Sequence, residues 1–150
     1  MNDDEYQKNA LGEKLEPCSV DPITGWFRDG CCNTNEVDHG VHTVCVRVTT
    51  KFLEWAKIVG NDLITPHPEF DFPGLKEGDS WCVCAATYAQ SIVEGTACKI
   101  YLKKTNHRTL EIIPLGKIDD GKKIEMKFEE KEKKFDPEKV YKGQPNPTKI

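Results

Sequence analysis

Long apolar runs are absent from this sequence. Only 37% of its residues are hydrophobic, and no stretch approaches the roughly 18 consecutive apolar residues of a membrane-spanning helix. Residues 1–10 are acidic and polar, and they lack the basic segment followed by an apolar run that marks a secretory signal. The sequence therefore predicts a cytoplasmic protein that does not bind a membrane.

A concentrated positive charge is absent as well. The formal net charge is −4, and residues 116–150 hold ten Lys against eight acidic residues, which leaves −6 on the rest of the chain. Proteins that bind nucleic acids need clustered Lys and Arg to displace counterions from the phosphates. Nucleic acid is therefore not an expected partner, and the sequence leaves the oligomeric state undefined.

The third absence concerns the seven cysteines, none of which has another cysteine three to five positions away. Structural zinc sites usually draw two ligands from one turn with the spacing C-x(2–4)-C, so this signature is missing. The number of cysteines is odd, and without a secretory signal the pattern argues against a disulfide framework. We therefore predict reduced thiols that are buried, metal-bound or reactive. The cysteines are Cys18, Cys31, Cys32, Cys45, Cys82, Cys84 and Cys98.

The length and the composition of the chain fit one domain. A chain of 150 residues can bury one ordinary hydrophobic core, but hardly two. We predict a single domain over residues 11–116, between a disordered N-terminal tail at 1–10 and a lysine-rich, partly disordered extension at 117–150. Residues 15–40 are rich in Pro, Gly, Asp and Asn, which indicates successive turns.

The first regular elements are predicted directly after these turns. Residues 42–49 alternate in the manner of a strand, with Val44 and Val46 on one face. Thr50 is expected to cap a helix over residues 51–59, whose apolar side chains recur at helical spacing.

Two further elements complete the predicted fold. Residues 85–93 are good helix formers, while 99–104 and 109–115 are expected to form a hairpin of two strands. The fold class that follows is α+β, a compact two-layer α/β domain. It has a small mixed or antiparallel sheet, about two helices and long irregular loops.

A loop and two strands could bring nitrogen and sulfur donors together. Cys31 and Cys32 lie in the turn-rich loop, and His42 begins the first predicted strand. If residues 80–84 are extended, Cys82 and Cys84 project to the same side and can offer two thiolates to one ion. A zinc-type metal site is therefore the leading functional hypothesis. Its candidate ligands are Cys31, Cys32, His42, Cys82 and Cys84.

The same thiols support a thiol-redox protein as the first alternative. Such a protein needs a thiolate with a low pKa and a resolving thiol near it. The redox candidates are Cys18, Cys31 and Cys32. A bond between the vicinal Cys31 and Cys32 would close a strained ring, so Cys18, Cys82 or Cys84 is the better resolving partner.

Other readings of these residues remain open. Cysteines often fill cores as small apolar groups, and Cys45 and Cys98 fit this role best. A third functional class is a binding or interaction module that uses exposed aromatic side chains such as Trp26 and performs no chemistry.

Enzymatic activity is left undecided by the sequence. A nucleophilic Cys31 or Cys32 with His39 or His42 as its base has the right residue types for covalent catalysis. No recognisable local signature accompanies them.

Long segments of the chain carry a family resemblance. The runs LGEKLEPCSVDPITGWFRDGCCNT, DHGVHTVCVRVTTKFLEWAKIVGNDLITPHPEFDFPGLKEGDSWCVCA and TNH make residues 11–115 similar to the mostly bacterial family called domain of unknown function 2237. The resemblance implies a compact two-layer α/β domain and no particular activity, cofactor or substrate. Cys98 and the extension after Gly116 depart from the family pattern. Positions that match it include Cys18, Cys31, Cys32, His42, Cys45, Cys82, Cys84 and His107.

Overall fold

The computed structural model describes residues 7–115. Its three strands form one antiparallel sheet in the order β2-β1-β3, and two α-helices accompany it. The predicted α+β class is therefore confirmed. The elements are β1 (Val44–Arg47), α1 (Thr50–Ile58), β2 (Ser80–Val83), α2 (Ala85–Val93) and β3 (Lys99–Ile100), with short 3₁₀ helices at Pro68–Phe70, Leu102–Lys104 and His107–Glu111.

Alternation along the strands gives the sheet two different faces. Val44 and Val46 of β1 and Trp81 of β2 join the main apolar core with side chains of both helices. Cys45 and Cys82 point to the opposite face, as expected for neighbours of these residues in a strand. The register pairs Cys45 directly with Cys82, so two cysteine side chains stand side by side on this face.

The first helix begins one residue earlier than predicted. Thr49 is its N-cap, and the Thr49 hydroxyl accepts a hydrogen bond from the Phe52 backbone N–H. Thr50, the expected cap, instead donates from both its backbone N–H and its hydroxyl to Glu77. The second helix, Ala85–Val93, has the predicted bounds.

The predicted hairpin after the second helix is wrong. Only β3 pairs with β1 there, and 3₁₀ turns follow it. The Thr105 hydroxyl accepts from the Cys45 backbone N–H, while the Asn106 backbone N–H donates to Thr43. The Asn106 side chain caps the 3₁₀ helix His107–Glu111 by accepting a hydrogen bond from the Arg108 backbone N–H. A side chain that bonds the backbone two residues further on favours a turn over a strand. The segment His107–Glu111 is accordingly a 3₁₀ helix where part of a strand was predicted.

The turn-rich loop is ordered against the cysteine face and the free edge of β2. The Cys82 backbone N–H donates to the hydroxyl of Thr24, which is fully buried. The Cys18 backbone N–H donates to the Gly30 carbonyl, and the Gly30 backbone N–H donates to the Thr24 carbonyl. Gly25 has φ +101°, and a Cβ at this position would collide with the Cys31 carbonyl. The tight loop therefore requires glycine there.

The described residues leave out residues 1–6 of the predicted N-terminal tail, residue 116 of the predicted domain and the whole predicted extension, 117–150. Asn9 and Ala10, which the sequence assigns to the N-terminal tail, are buried. In the portion that the structure describes, no helix has both the length and the apolar composition needed to cross a bilayer.

Candidate functional site

Two disulfide bonds join the loop to the central strands. Cys18 is bonded to Cys45 and Cys32 to Cys82, with Cα–Cα distances of 5.7 and 5.4 Å. The prediction that all thiols are reduced is therefore wrong for these four. Partners 27 and 50 residues apart meet only because the loop folds back over the sheet, which the spacing of the cysteines does not show.

The two disulfides lie against each other. We call Cys18, Cys32, Cys45 and Cys82 the cysteine cluster; all four are buried, and the half-buried Tyr101 packs against them. The sulfur atoms of Cys18, Cys32 and Cys82 lie within 4.8 Å of one another. A sulfur of one disulfide is therefore close to both sulfurs of the other.

The backbone at the two loop cysteines is fixed by hydrogen bonds. The Cys18 N–H donates to Gly30 at 2.7 Å, and the Cys32 carbonyl accepts from the Asn106 side chain at 3.0 Å. Asn106 is 1% exposed. Buried backbone groups that are paired in this way hold their side chains in a defined place. The loop sulfurs therefore approach the sheet in a set geometry.

Cys31 lies outside the cluster although it adjoins Cys32. Its thiol is free and partly exposed. Burial raises the pKa of the Cys31 thiol, and the nearby Asp29 carboxylate raises it further. The same carboxylate accepts from the Cys31 backbone N–H, so it stays near the sulfur. Cys31 is thus an accessible thiol without activation, contrary to what a reactive thiolate needs.

A buried carboxylate and a histidine stand at the end of the loop. His42 Nδ1 lies 2.6 Å from Asp38 Oδ1, and the exposed fractions of the two residues are 8% and 2%. The other oxygen, Oδ2, accepts from the Thr34 hydroxyl and from the His42 backbone N–H. Trp26 stacks on the imidazole with ring centroids 5.3 Å apart. The orientation of the ring is therefore fixed on several sides.

Opposing effects act on the Asp38 carboxyl. Burial disfavours its charged form, but the hydrogen bonds from His42 and Thr34 and the charge of His42 outweigh burial and lower its pKa. Hydrogen bonds to a carboxylate stabilise it in this way. Asp38 is therefore an anion inside the protein at neutral pH.

Cys84 stands at the start of the second helix. The strand β2 ends at Val83 and Cys84 is the N-cap residue, so the expectation that Cys82 and Cys84 share one face of a strand is wrong. The Cys84 side chain makes no capping hydrogen bond. Burial raises the pKa of the Cys84 thiol, and the charge of Asp38 adds to this increase. The free thiol is 1% exposed.

Cys84 and His42 line one narrow cleft, which has no space for a water-sized molecule. Asn61 lies in its wall and donates from its side chain to the Thr87 hydroxyl. The cleft lies between the start of α2, the end of the loop and the segment that follows α1. Its remaining lining residues are Leu63, Trp81, Cys82 and Val83.

The five predicted metal ligands therefore fall in three places. Cys32 and Cys82 belong to the cysteine cluster, His42 and Cys84 line the cleft, and Cys31 belongs to neither. Within residues 7–115, the only group of three metal-type donors that converges is Cys18, Cys32 and Cys82.

Sequence analysis did not identify the roles of several residues in the two sites. Cys45 was expected to pack in the core, but it is half of a disulfide. Asp38 and Trp26 orient His42, yet neither shows a spacing that marks this role. One feature of the sequence did bear on the role of Cys45: in a strand its side chain faces away from Val44 and Val46, and so away from the apolar face. Cys98 does lie in the apolar core, as expected.

The fold and the sites together define an α+β domain with paired, buried cysteines on the sheet face opposite the main core. Residues 8–121 match the family described as "Uncharacterized protein conserved in bacteria (DUF2237)", which is most of the chain. The chain belongs to this family, as the resemblance indicated. No curated protein matches it, so the comparisons assign no activity.

Proposed function

We propose that this is a thiol-redox protein whose cysteine cluster cycles between disulfides and thiols. The observation that carries this proposal is the approach of the Cys18 sulfur to within 4.8 Å of both Cys32 and Cys82. Two disulfides placed so closely can exchange electrons within one molecule, because a thiolate released from one bond can attack the other.

The first bond to be reduced is Cys18–Cys45. Cys18 is 6% exposed, whereas the other three cysteines of the cluster are at most 1% exposed. An external dithiol attacks the Cys18 sulfur and releases Cys45 as a thiolate that takes up a proton. The second thiol of the reductant then attacks the mixed disulfide, so that the dithiol loses two electrons and Cys18 is released.

The second bond is reduced through the first. The Cys18 thiolate attacks the Cys32–Cys82 disulfide, forms a new bond to one of its sulfurs and releases the other as a thiolate. A second external dithiol then reduces the new bond. The deeply buried pair therefore needs no direct access from solvent.

The predicted cytoplasmic location supports a redox role over a purely structural one. Disulfides in a reducing cytosol are usually transient and serve catalysis or redox sensing. The location itself stays a prediction. A reversible pair of bonds would reconcile it with the two disulfides of the structure.

The test is a redox titration of the folded protein. We would equilibrate it in buffers of graded dithiol to disulfide ratio, block free thiols in acid and assign them by peptide mass spectrometry. We expect the four cysteines of the cluster to convert reversibly while circular dichroism remains that of the folded protein. Disulfides that stay oxidised in every buffer until the protein unfolds would show that they are structural only.

Zinc binding by the reduced cluster is the second candidate function. Tetrahedral zinc holds thiolate sulfurs at about 2.3 Å, which places the sulfurs about 3.8 Å apart. The sulfurs of Cys18, Cys32 and Cys82 already lie within 4.8 Å of one another, and Cys45 is bonded to Cys18, so reduction would place a fourth thiolate beside this group. The proposed ligands are then Cys18, Cys32, Cys45 and Cys82.

Equilibrium dialysis of the reduced protein against zinc tests this second candidate. We expect one zinc ion per chain, lost in Cys82→Ser and kept in Cys31→Ser, whose thiol lies outside the cluster. Equal zinc retention in both variants would contradict a site at the cluster.

A further inference from the structure

An open pocket lies between the start of the described chain, the turn-rich loop and the last 3₁₀ helix, and none of the cysteines lines it. Its volume is about 300 Å³. Binding sites for small molecules usually measure about 300–1,000 Å³, so this pocket reaches the lower end of that range. We call it the basic pocket. Its lining residues are Gln7, Lys8, Thr34, Asn106, His107 and Arg108.

Hydrogen bonds fix the neutral part of the lining. The Gln7 side chain donates to the Thr34 carbonyl at 2.7 Å and accepts from the Thr34 backbone N–H at 3.1 Å. The Asn106 side chain donates to Gln7 and to the Cys32 carbonyl. Thr34 and Asn106 are both buried. Because these groups satisfy one another, the pocket is formed before any ligand arrives.

The ionisable part of the lining is basic. Lys8, His107 and Arg108 line the pocket, and no Asp or Glu among the described residues does. The His107 backbone N–H donates to the Lys8 carbonyl at 2.8 Å, so these two side chains start from neighbouring points of the backbone. Within residues 7–115, neither of the two side chains has a hydrogen bond or an ion pair. Positive groups gathered in one depression raise the local concentration of anions.

Arg108 has one acidic partner at the edge of the pocket. Its Nε lies 2.7 Å from Glu111 Oε2, and both side chains are more than half exposed. The terminal nitrogens of a guanidinium carry further N–H donors, which can bind two oxygens of a second anion. Glu111 therefore leaves Arg108 able to bind a ligand, but its negative charge opposes the approach of an anion.

The backbone contributes little to the binding capacity of the pocket. The N–H groups of His107 and Arg108 already donate to the Lys8 carbonyl and to the Asn106 side chain. A ligand would therefore be bound by side chains rather than by the first turn of the 3₁₀ helix.

We propose that the basic pocket binds a small anionic molecule that carries a phosphate or a carboxylate group. Lys8, His107 and Arg108 bind the charged group, and the fixed neutral lining shapes the space beside it. Water occupies about 30 Å³ per molecule in the liquid, so the pocket has room for about ten water molecules. This space suits a small molecule. The inference goes beyond the proposed function and uses no cysteine, so either can fail without the other.

The experiment is an NMR titration of the isotope-labelled, full-length oxidised protein at neutral pH and constant ionic strength. Inorganic phosphate and succinate are added in separate series, and sodium chloride alone is the control. We expect saturable shifts of the backbone amide signals of Lys8, Thr34, His107 and Arg108, which chloride does not produce. The dissociation constant should be on the order of 1 mM, because so small an ion makes few contacts. Tighter binding of phosphate or of succinate identifies the preferred charged group.

Two neighbouring charges give opposite predictions for the anion that binds more tightly. Arg108→Gln removes a cationic donor and should weaken binding about 5-fold or more. Glu111→Gln removes the opposing carboxylate and should strengthen binding about 2-fold or more. Lys51→Gln removes a positive charge from an exposed position on α1 and should leave the dissociation constant unchanged. The amide spectrum of each variant shows whether it is folded.

Three results would overturn the proposal. The first is the absence of saturable shifts at the lining residues with both anions. The second is an equal dissociation constant for Arg108→Gln and Lys51→Gln, and the third is a Glu111→Gln variant that binds as weakly as Arg108→Gln. The redox titration of the cysteine cluster is a separate measurement, so these results are distinguishable from failure of the proposed function.

Discussion

Single residues determine how the loop meets the sheet, and Asp38 is the clearest case. Its carboxylate is 2% exposed and is held by Thr34 and His42. A buried charge is tolerated only with such partners. The loop end, the imidazole and the cleft therefore depend on one ionised side chain.

We predict that Asp38→Asn lowers the free energy of unfolding by about 2–4 kcal/mol at neutral pH, because it removes a buried carboxylate that Thr34 and His42 hold by hydrogen bonds. Urea denaturation measures this change. Glu36→Gln, an exposed neighbour, is the control and should change the stability by less than about 0.5 kcal/mol. A loss for Asp38→Asn no larger than that of the control would contradict the account.

The same carboxyl predicts a pH dependence. The pKa of Asp38 in the folded state is below its ordinary value of 3.8, so its stabilisation is complete above the unfolded pKa and lost as the pH falls through the folded pKa. The difference between the natural protein and Asp38→Asn should shrink from pH 6 to about pH 3. Urea denaturation of both proteins across this pH range measures the difference. A difference in stability that stays constant from pH 6 to about pH 3 would contradict this prediction.

Gly25 gives a prediction with a matched control. Gly25→Ala places a Cβ against the Cys31 carbonyl in a left-handed conformation, so we expect a loss of about 2–3 kcal/mol. Gly60→Ala has a similar φ, +99° against +101°, but no atom within 4 Å of its Cβ. It should cost only about 1 kcal/mol. Thermal melts of both variants separate the collision from the backbone strain, and equal losses would refute the collision.

At the scale of elements, the pairing of β1 with β2 determines where the disulfides form, because it places Cys45 opposite Cys82. It aligns the two sheet cysteines, and the loop supplies a partner for each. Cys18→Ala combined with Cys45→Ala should lower the stability of the oxidised protein by about 2–4 kcal/mol, since the cross-link closes a long loop. Under strong reductant this difference should shrink. Cys31→Ser is the control. The difference in stability between this variant and the natural protein should be the same with and without reductant.

The elements also show which structure the sequence could predict. The first strand and the first helix follow from local periodicity and the second helix from helix propensity, and all three were predicted within two residues. The hairpin was wrong because Asn106 caps a 3₁₀ helix over His107–Glu111, where part of the second strand was expected. The cysteine pairs depend on strand register and on the path of a long loop, neither of which a local pattern contains.

At the scale of the whole molecule, the sheet has helices on one face and a disulfide-bound loop on the other. Three short strands expose a face that needs covering, and the loop with the cysteine cluster provides this cover. Reduction would loosen the covering loop while leaving the main core of helices and sheet intact. The central claim of the proposed function is that the cluster changes its redox state without unfolding the domain.

Thiol counting across one redox cycle tests this claim most directly. After rapid blocking in denaturant, the oxidised protein should show three free thiols, at Cys31, Cys84 and Cys98, and peptides joined as Cys18–Cys45 and Cys32–Cys82. Dithiol should raise the count to all seven thiols in protein that remains folded, and reoxidation should restore the same two pairs. Seven free thiols at the outset, or pairs that open only when the protein unfolds, would contradict the account.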